Sequence, residues 1–152
     1  MMKIAIDADK NGAELKKALI ELMKEKGTDY TDLDFLASYP GKDYPDVAYN
    51  LALRICEKEY DRGILICGTG LGMAICANKL KGVYAGTCND AYAAERLVKS
   101  NNAKIITIGA LVTGVESAKT IISVWLDSEF KGGKSLPKVE RIKEIESEIY
   151  GE

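Results

Sequence analysis

The sequence predicts an α/β fold: a doubly wound, Rossmann- or flavodoxin-like sheet of five parallel strands with helices on both faces. Two observations and one general rule predict it. Short apolar runs alternate five times with segments of helical periodicity, and the connections between them are short. The run Gly63-Ile64-Leu65-Ile66 is continuously apolar, as a strand covered on both faces must be. Crossovers between parallel strands of one sheet are right-handed, which leaves few ways to wind such a chain. With 152 residues and no repeat, low-complexity tract or linker, a single domain over residues 1–152 is expected.

Taken in order, Lys3 to Ala8 reads as a buried strand that ends in the polar run Asp9-Lys10-Asn11-Gly12. From Ala13 to Lys26, Leu15, Leu19, Leu22 and Met23 fall on one helical face, and Gly27 stops the helix. A weaker strand is expected near Tyr30 to Phe35, then a loop with Pro40-Gly41 and Asp43-Tyr44-Pro45. A helix over Asp46 to Lys58 buries Val47, Leu51 and Ile55. Arg62 to Cys67 is the clearest strand, followed by a glycine loop and a helix from Met73 to Lys79. Val83 to Thr87 and Lys104 to Ile108 read as strands, with a helix from Ala91 to Lys99 between them. Val115 to Leu126 is a helix with Ala118, Ile121, Ile122 and Trp125 inward, and a charged helix from Lys138 to Tyr150 closes the chain.

Composition narrows the function classes. A net charge of −2 gives no global attraction to nucleic acid or to a membrane surface, so an anionic ligand needs a local basic cluster. No stretch reaches the apolar length of a membrane span, and the N-terminus runs straight into strand pattern, so no signal peptide is expected. Cys56, Cys67, Cys76 and Cys88 are widely and unevenly spaced, and the chain has no histidine. That pattern argues against structural zinc and for free thiols in a reducing cytoplasm. Asp7 and Asp9 share one side of the first strand, but nothing completes a ligand set, so neither metal nor other cofactor is expected. Asp7 itself stands where a small or apolar residue belongs.

In doubly wound sheets, ligands collect beyond the carboxyl ends of the strands where the winding reverses; in a flavodoxin-like order that is between the first and third strands. The loops leaving those strands are Asp9 to Gly12 and Cys67 to Gly72. Gly68, Gly70 and Gly72 lie between strand and helix, where backbone N–H groups without side chains in the way converge on an anion. The competing reading is a turn that needs glycine only for sterics. A Walker loop is excluded, because Met73-Ala74 follow the third glycine instead of Lys-Ser/Thr. A dinucleotide fingerprint has different glycine spacing and lies on the first strand, although Asp90 falls near the distance of a ribose-binding acid. Cys67, at the strand tip beside a helix start, is placed where a thiol pKa falls, which makes it a candidate base or nucleophile. Thr69 offers a hydroxyl that can pass a proton. Cys56, Cys76 and Cys88 fall within element patterns and read as packing.

These residues resemble the ribose-5-phosphate isomerase B and galactose-6-phosphate isomerase family. The likeness runs over nearly the whole chain. It includes Lys3-Ile4-Ala5-Ile6 with Asp9 and Gly12, Asp43-Tyr44-Pro45, and most specifically Ile66-Cys67-Gly68-Thr69-Gly70-Leu71-Gly72. Ala77-Asn78-Lys79, Gly82, Asn101-Asn102-Ala103, Gly109, Gly114 and Phe130-Lys131-Gly132-Gly133 continue it in order. The resemblance implies a metal-free aldose–ketose isomerase of phosphorylated sugars, of ribose-5-phosphate isomerase B type, working through a cis-enediol. By position, Cys67 resembles the base and Thr69 the shuttle between the two oxygens. The amides of Gly68 to Gly72 with the Asn101 side chain would hold the enediolate, and Asp9 and Tyr44 would contact sugar hydroxyls. Homodimers or dimers of dimers with shared active sites are implied.

The chain departs from the family pattern wherever that pattern has histidine. Lys10 and Ser100 replace two of them, the latter the residue that helps open the furanose ring, and Lys134-Ser135-Leu136-Pro137-Lys138 replaces an Arg-His-x-x-Arg segment. Lys10, Lys134 and Lys138 keep positive charge for a phosphate, without the bidentate grip of arginine. A tetrose 4-phosphate has its O4 esterified and cannot close a furanose, so erythrulose 4-phosphate is the alternative substrate. Ser100-Asn101-Asn102-Ala103 also resembles the branch of the family that acts on it. A non-catalytic sugar-phosphate-binding subunit is a further alternative, against which the retention of both Cys67 and Thr69 counts.

Overall fold

The computed structural model describes residues 1–151; Glu152, the end of the expected domain span, lies outside the described residues. Five strands form one parallel sheet: β1 (Lys3–Ala8), β2 (Asp29–Asp32), β3 (Arg62–Cys67), β4 (Ala85–Thr87) and β5 (Ile105–Gly109). Their order is β2-β1-β3-β5-β4. The doubly wound class is as expected, and the reversal falls between β1 and β3, but the far edge differs from the flavodoxin-like order. The five buried residues of β5 take the inner place beside β3, and the three half-buried residues of β4 take the edge. An interior strand needs cover on both faces, and only β5 carries the apolar sequence for it.

Side chains alternate across the sheet. Ile4, Ile6, Ile64, Ile66, Ile106 and Ile108 meet α1 (Ala13–Glu25), α5 (Ala91–Lys99) and α6 (Val115–Asp127) on one face. Ala5, Leu65, Cys67 and Ile105 meet α3 (Tyr44–Cys56) and α4 (Leu71–Ala77) on the other. The chain ends in a 3-10 turn at Gly133–Ser135 and α7 (Leu136–Tyr150), of which only Val139 is buried. Among the described residues, no helix is long and apolar enough to cross a membrane.

Helix starts differ from expectation for local reasons. α3 begins two residues early because the Asp43 carboxylate accepts the Tyr44 N–H at 2.8 Å and Pro45 follows in the first turn, where its missing N–H costs nothing. α4 begins at Leu71 because Gly70, at φ +81°, turns the chain into it. β2 is shorter than expected, and Phe35, read as its end, instead opens a short helix, α2 (Phe35–Ser38), after Asp34 at φ +43°.

That helix accounts for Asp7. Its carboxylate, only 1% exposed, accepts the Phe35 N–H at 3.0 Å and the Ala8 N–H at 2.8 Å. Lys16 Nζ lies 3.5 Å away and donates to Asp32 at 2.9 Å. Burial pushes the Asp7 carboxyl above its ordinary pKa, against the pull of the two N–H groups and Lys16. A buried charge left unpaired would cost several kcal/mol, about 3–5. Here it is fully engaged, and it ties the end of β1 to the start of α2. The Leu33 N–H, bonded to Ile6 O at 3.1 Å, fastens the same segment one residue before Asp34.

Candidate active site

The carboxyl ends of β1 and β3 lie side by side, and the Asp9–Gly12 loop packs directly on the exit of β3. Asp9 N–H donates to Ile66 O at 3.1 Å, and a Cβ on Gly12 would stand 2.6 Å from that same oxygen. Only glycine fits. Asp9 is 8% exposed and takes the Gly12 N–H at 3.1 Å. Burial raises its carboxyl pKa, with Asp43 adding to the shift and the Gly12 and Asn11 N–H groups opposing it. Asp9, Lys10, Asn11, Lys42 and Asp43 line an open cleft of about 390 Å³ over this end of the sheet. Lys42, Asp43 and Asn11 are absent from the sequence-derived site. Asp43 had a readable signal, as a capping acid ahead of Tyr44-Pro45.

Beside this cleft, Cys67 closes β3 and is 5% exposed. Its carbonyl accepts the Ala110 N–H at 2.8 Å, and the Gly68 carbonyl accepts the Leu111 N–H at 3.0 Å, so the loop is pinned to the exit of β5. Gly70 N–H donates to Cys67 Sγ at 3.1 Å, and Leu71 N–H donates to the exposed Thr69 Oγ1 at 3.3 Å. Two further close approaches shape the loop. A Cβ on Gly109 would meet the Thr69 backbone at 2.6 Å, and one on Gly72 would strike the Tyr44 ring. Tyr44 therefore stands against the glycine loop, half-open to solvent.

Asp9, Lys10, Tyr44, Cys67, Gly68, Thr69, Gly70 and Gly72 thus gather at one end of the sheet. Ser100, Asn101, Lys134 and Lys138 do not join them. Ser100 ends α5, its N–H on Arg96 O at 2.8 Å and its hydroxyl accepting Arg96 Nη1 at 3.3 Å. Asn101, Lys134 and Lys138 are exposed. α5 and α6 run antiparallel to the strands, so the segments after them emerge at the amino edge, where Lys99, Lys131 and Gly132 share a second cleft. A six-residue strand such as β3 puts roughly 20 Å between the two edges. Among the described residues, no group of three or more His, Cys, Asp or Glu side chains is placed to hold a metal ion.

The sequence profile of the family described as Ribose/Galactose Isomerase matches residues 4–142. The chain belongs to this family. Within the Ribose/Galactose Isomerase family it is 49% identical over 142 residues to a D-erythrulose-4-phosphate isomerase of Pectobacterium atrosepticum, covering 93% of each chain. It is also 49% identical over 147 residues to a ribose-5-P isomerase B of Listeria innocua, covering 95% of this chain and 97% of the other. Among solved structures, ribose-5-phosphate isomerase B of Clostridium thermocellum superposes with a TM-score of 0.88 at 37% identity, covering 97% of this chain and 99% of that one. Family membership makes the chain an isomerase. Equal identity to a tetrose-phosphate and a pentose-phosphate enzyme leaves the choice of sugar to the chemistry of the site.

Proposed function

We propose that the chain, as a single cytoplasmic domain, interconverts an aldose phosphate and its ketose through a cis-enediolate, in the manner of ribose-5-phosphate isomerase B. The observation that carries this reading is the hydrogen bond from Gly70 N–H to Cys67 Sγ at the point where the sheet reverses direction. Cys67 takes the proton from C2 of the aldose and returns it to C1. Thr69, beside it, passes the hydroxyl proton between O1 and O2, and the backbone N–H groups of the Gly68–Gly72 loop that are not engaged by Cys67 and Thr69, those of Gly68, Thr69 and Gly72, hold the charge that builds on oxygen. Asp9 and Tyr44 hold sugar hydroxyls, and Lys10 contributes positive charge toward the phosphate.

A second copy of the chain completes the site. Ser100, Asn101, Lys134 and Lys138 lie at the wrong edge to serve Cys67 of their own chain, so in this reading they serve the partner's. Exposed apolar side chains flank the glycine loop at Leu71 and Ile75 on α4 and at Leu111 and Val112 after β5, and α7 exposes Ile142, Ile145 and Ile149. Exposed apolar side chains in such number favour an interface. Mixing a Cys67→Ala variant with an Asn101→Ala variant, each nearly inactive alone, should restore up to about a quarter of the sites after subunit exchange, because a hybrid dimer holds one intact pair of edges. Additive residual activity with no restoration would mean that each site is built within one chain.

A specific observation narrows the sugar. The chain has no histidine, and Ser100 stands where the family pattern has the ring-opening residue. Erythrulose 4-phosphate and its aldose cannot form a furanose and need no such group, whereas ribose 5-phosphate does. We therefore favour the tetrose phosphate over the pentose phosphate as preferred substrate. A panel of four-, five- and six-carbon sugar phosphates, read by solvent deuterium uptake at C1 or C2, tests both levels. Exchange with a kcat/KM at least about tenfold higher for the tetrose fits the proposal, that ratio being about 1.4 kcal/mol in transition-state binding. A preference for ribulose 5-phosphate overturns the choice of sugar, and no exchange with any member overturns the isomerase reading in favour of a binding subunit.

A further inference from the structure

Beneath the glycine loop, on the side away from the cleft, two threonine hydroxyls from neighbouring strands converge on one backbone carbonyl. Thr107 of β5 is fully buried and donates to Gly70 O at 2.8 Å. Thr87, its register partner on β4, lies 3.2 Å from the same oxygen and 2.7 Å from Thr107 Oγ1. Each hydroxyl has a single proton. The arrangement is therefore a short chain in which Thr107 donates to the carbonyl, with Thr87 donating to Thr107 or sharing the carbonyl.

The carbonyl does not need these donors for satisfaction, since it already accepts the Ala74 N–H at 3.2 Å as the first bond of α4. Nor does the core need the hydroxyls. Thr107 is flanked along β5 by Ile105, Ile106 and Ile108, and valine would fill the same space without a polar group to bury. What the hydroxyls fix is direction. Gly70 sits at φ +81°, and as glycine it has the widest freedom of any residue to turn. The N–H on one side of its Cα donates to Cys67 Sγ, and the N–H of the next peptide, which shares the clamped carbonyl, donates to Thr69 Oγ1. One anchored residue thus holds both groups of the isomerisation, and a donor on a peptide carbonyl also strengthens the N–H of the same peptide.

We propose that Thr107, backed by Thr87, is a positioning residue: it clamps the Gly70 carbonyl and thereby sets Cys67 and Thr69 in register with each other. The inference rests on the isomerase reading above. Thr107→Val should lower kcat about tenfold, the scale of one well-placed hydrogen bond, with KM changed less than about twofold. Thr107→Ser should restore kcat to within about threefold of the parent. Thr87→Val should have the smaller effect, and the double variant should fall short of the product of the single ones, since both hydroxyls act on one carbonyl. A parent-like kcat in Thr107→Val, or Thr107→Ser as impaired as Thr107→Val, overturns the proposal. Should Thr107→Val fail to fold, Thr87→Val decides, with a kcat loss of about threefold at constant KM supporting the clamp and a parent-like kcat overturning it. Turnover persisting in Cys67→Ala would instead overturn the assignment of the base, a separate failure.

Discussion

Cys67→Ala is expected to lose turnover by about 10²- to 10⁴-fold, the range for removing a positioned general base, while affinity for the sugar phosphate changes less than about threefold. In the proposed mechanism the phosphate and hydroxyl contacts lie on other residues, so ground-state binding should survive and only the proton transfer should be lost. Stability should barely move. Cys67 packs beside Met73 and Leu65, and trimming one buried sulfur to a methyl leaves a small void worth about 1–2 kcal/mol at most. Initial rates, with ligand affinity from calorimetry and melting by circular dichroism, check all three parts. Retention of more than about a tenth of the parental turnover would remove Cys67 from the mechanism.

Gly109→Ala should damage the same reaction from a distance. Gly109 pairs with Cys67 across β3 and β5, and a methyl there would stand 2.6 Å from the Thr69 Cα and carbonyl carbon and 2.7 Å from its oxygen. The obstruction is backbone, which cannot rotate out of the way. Overpacking of this kind costs about 1–3 kcal/mol, or roughly 2–12 °C in melting temperature for a domain of this size. Shifting Thr69 by even an ångström is enough for about a hundredfold loss of kcat. Gly114→Ala is the matched control. A Cβ there meets nothing within 4 Å and φ is −68°, so activity should stay within about twofold of the parent. Equal behaviour of the two variants would show that the Gly109–Thr69 contact does not govern the site.

The inner strands were legible in the sequence because each is a mostly apolar run, broken inside only by Asp7 in β1 and Thr107 in β5, of the kind a two-sided sheet buries. The edges were not. β2 is mostly exposed, and β4 loses its first expected residues because Tyr84 turns to φ +52°. α2 is invisible locally, since its start depends on Asp7, distant in sequence, accepting the Phe35 N–H. The sheet order beyond β3 follows from which strand can bear burial on both faces, a comparison between segments that no single window makes. In the candidate site, the glycine spacing and the strand-tip cysteine exposed one half directly. Ser100, Asn101, Lys134 and Lys138 were reached only through family resemblance, and the fold then separated them from Cys67 by the length of a strand. The hydroxyls of Thr87 and Thr107 carry no signal of their own, because their purpose appears only when two strands and a loop meet.

The Asp7 anchor has a consequence for how weakly a small sugar phosphate can be allowed to bind. The segment from Leu33 to Asp43 borders the cleft with Lys42 and Asp43, and ordering a free loop costs about 1–2 kcal/mol for each residue it immobilises. A ligand of four or five carbons makes too few contacts to supply that. With Leu33 held on Ile6 and Phe35 held on a buried carboxylate, the disorder is surrendered once, when the chain folds. The affinity the ligand does generate is then free to act on the reacting carbons.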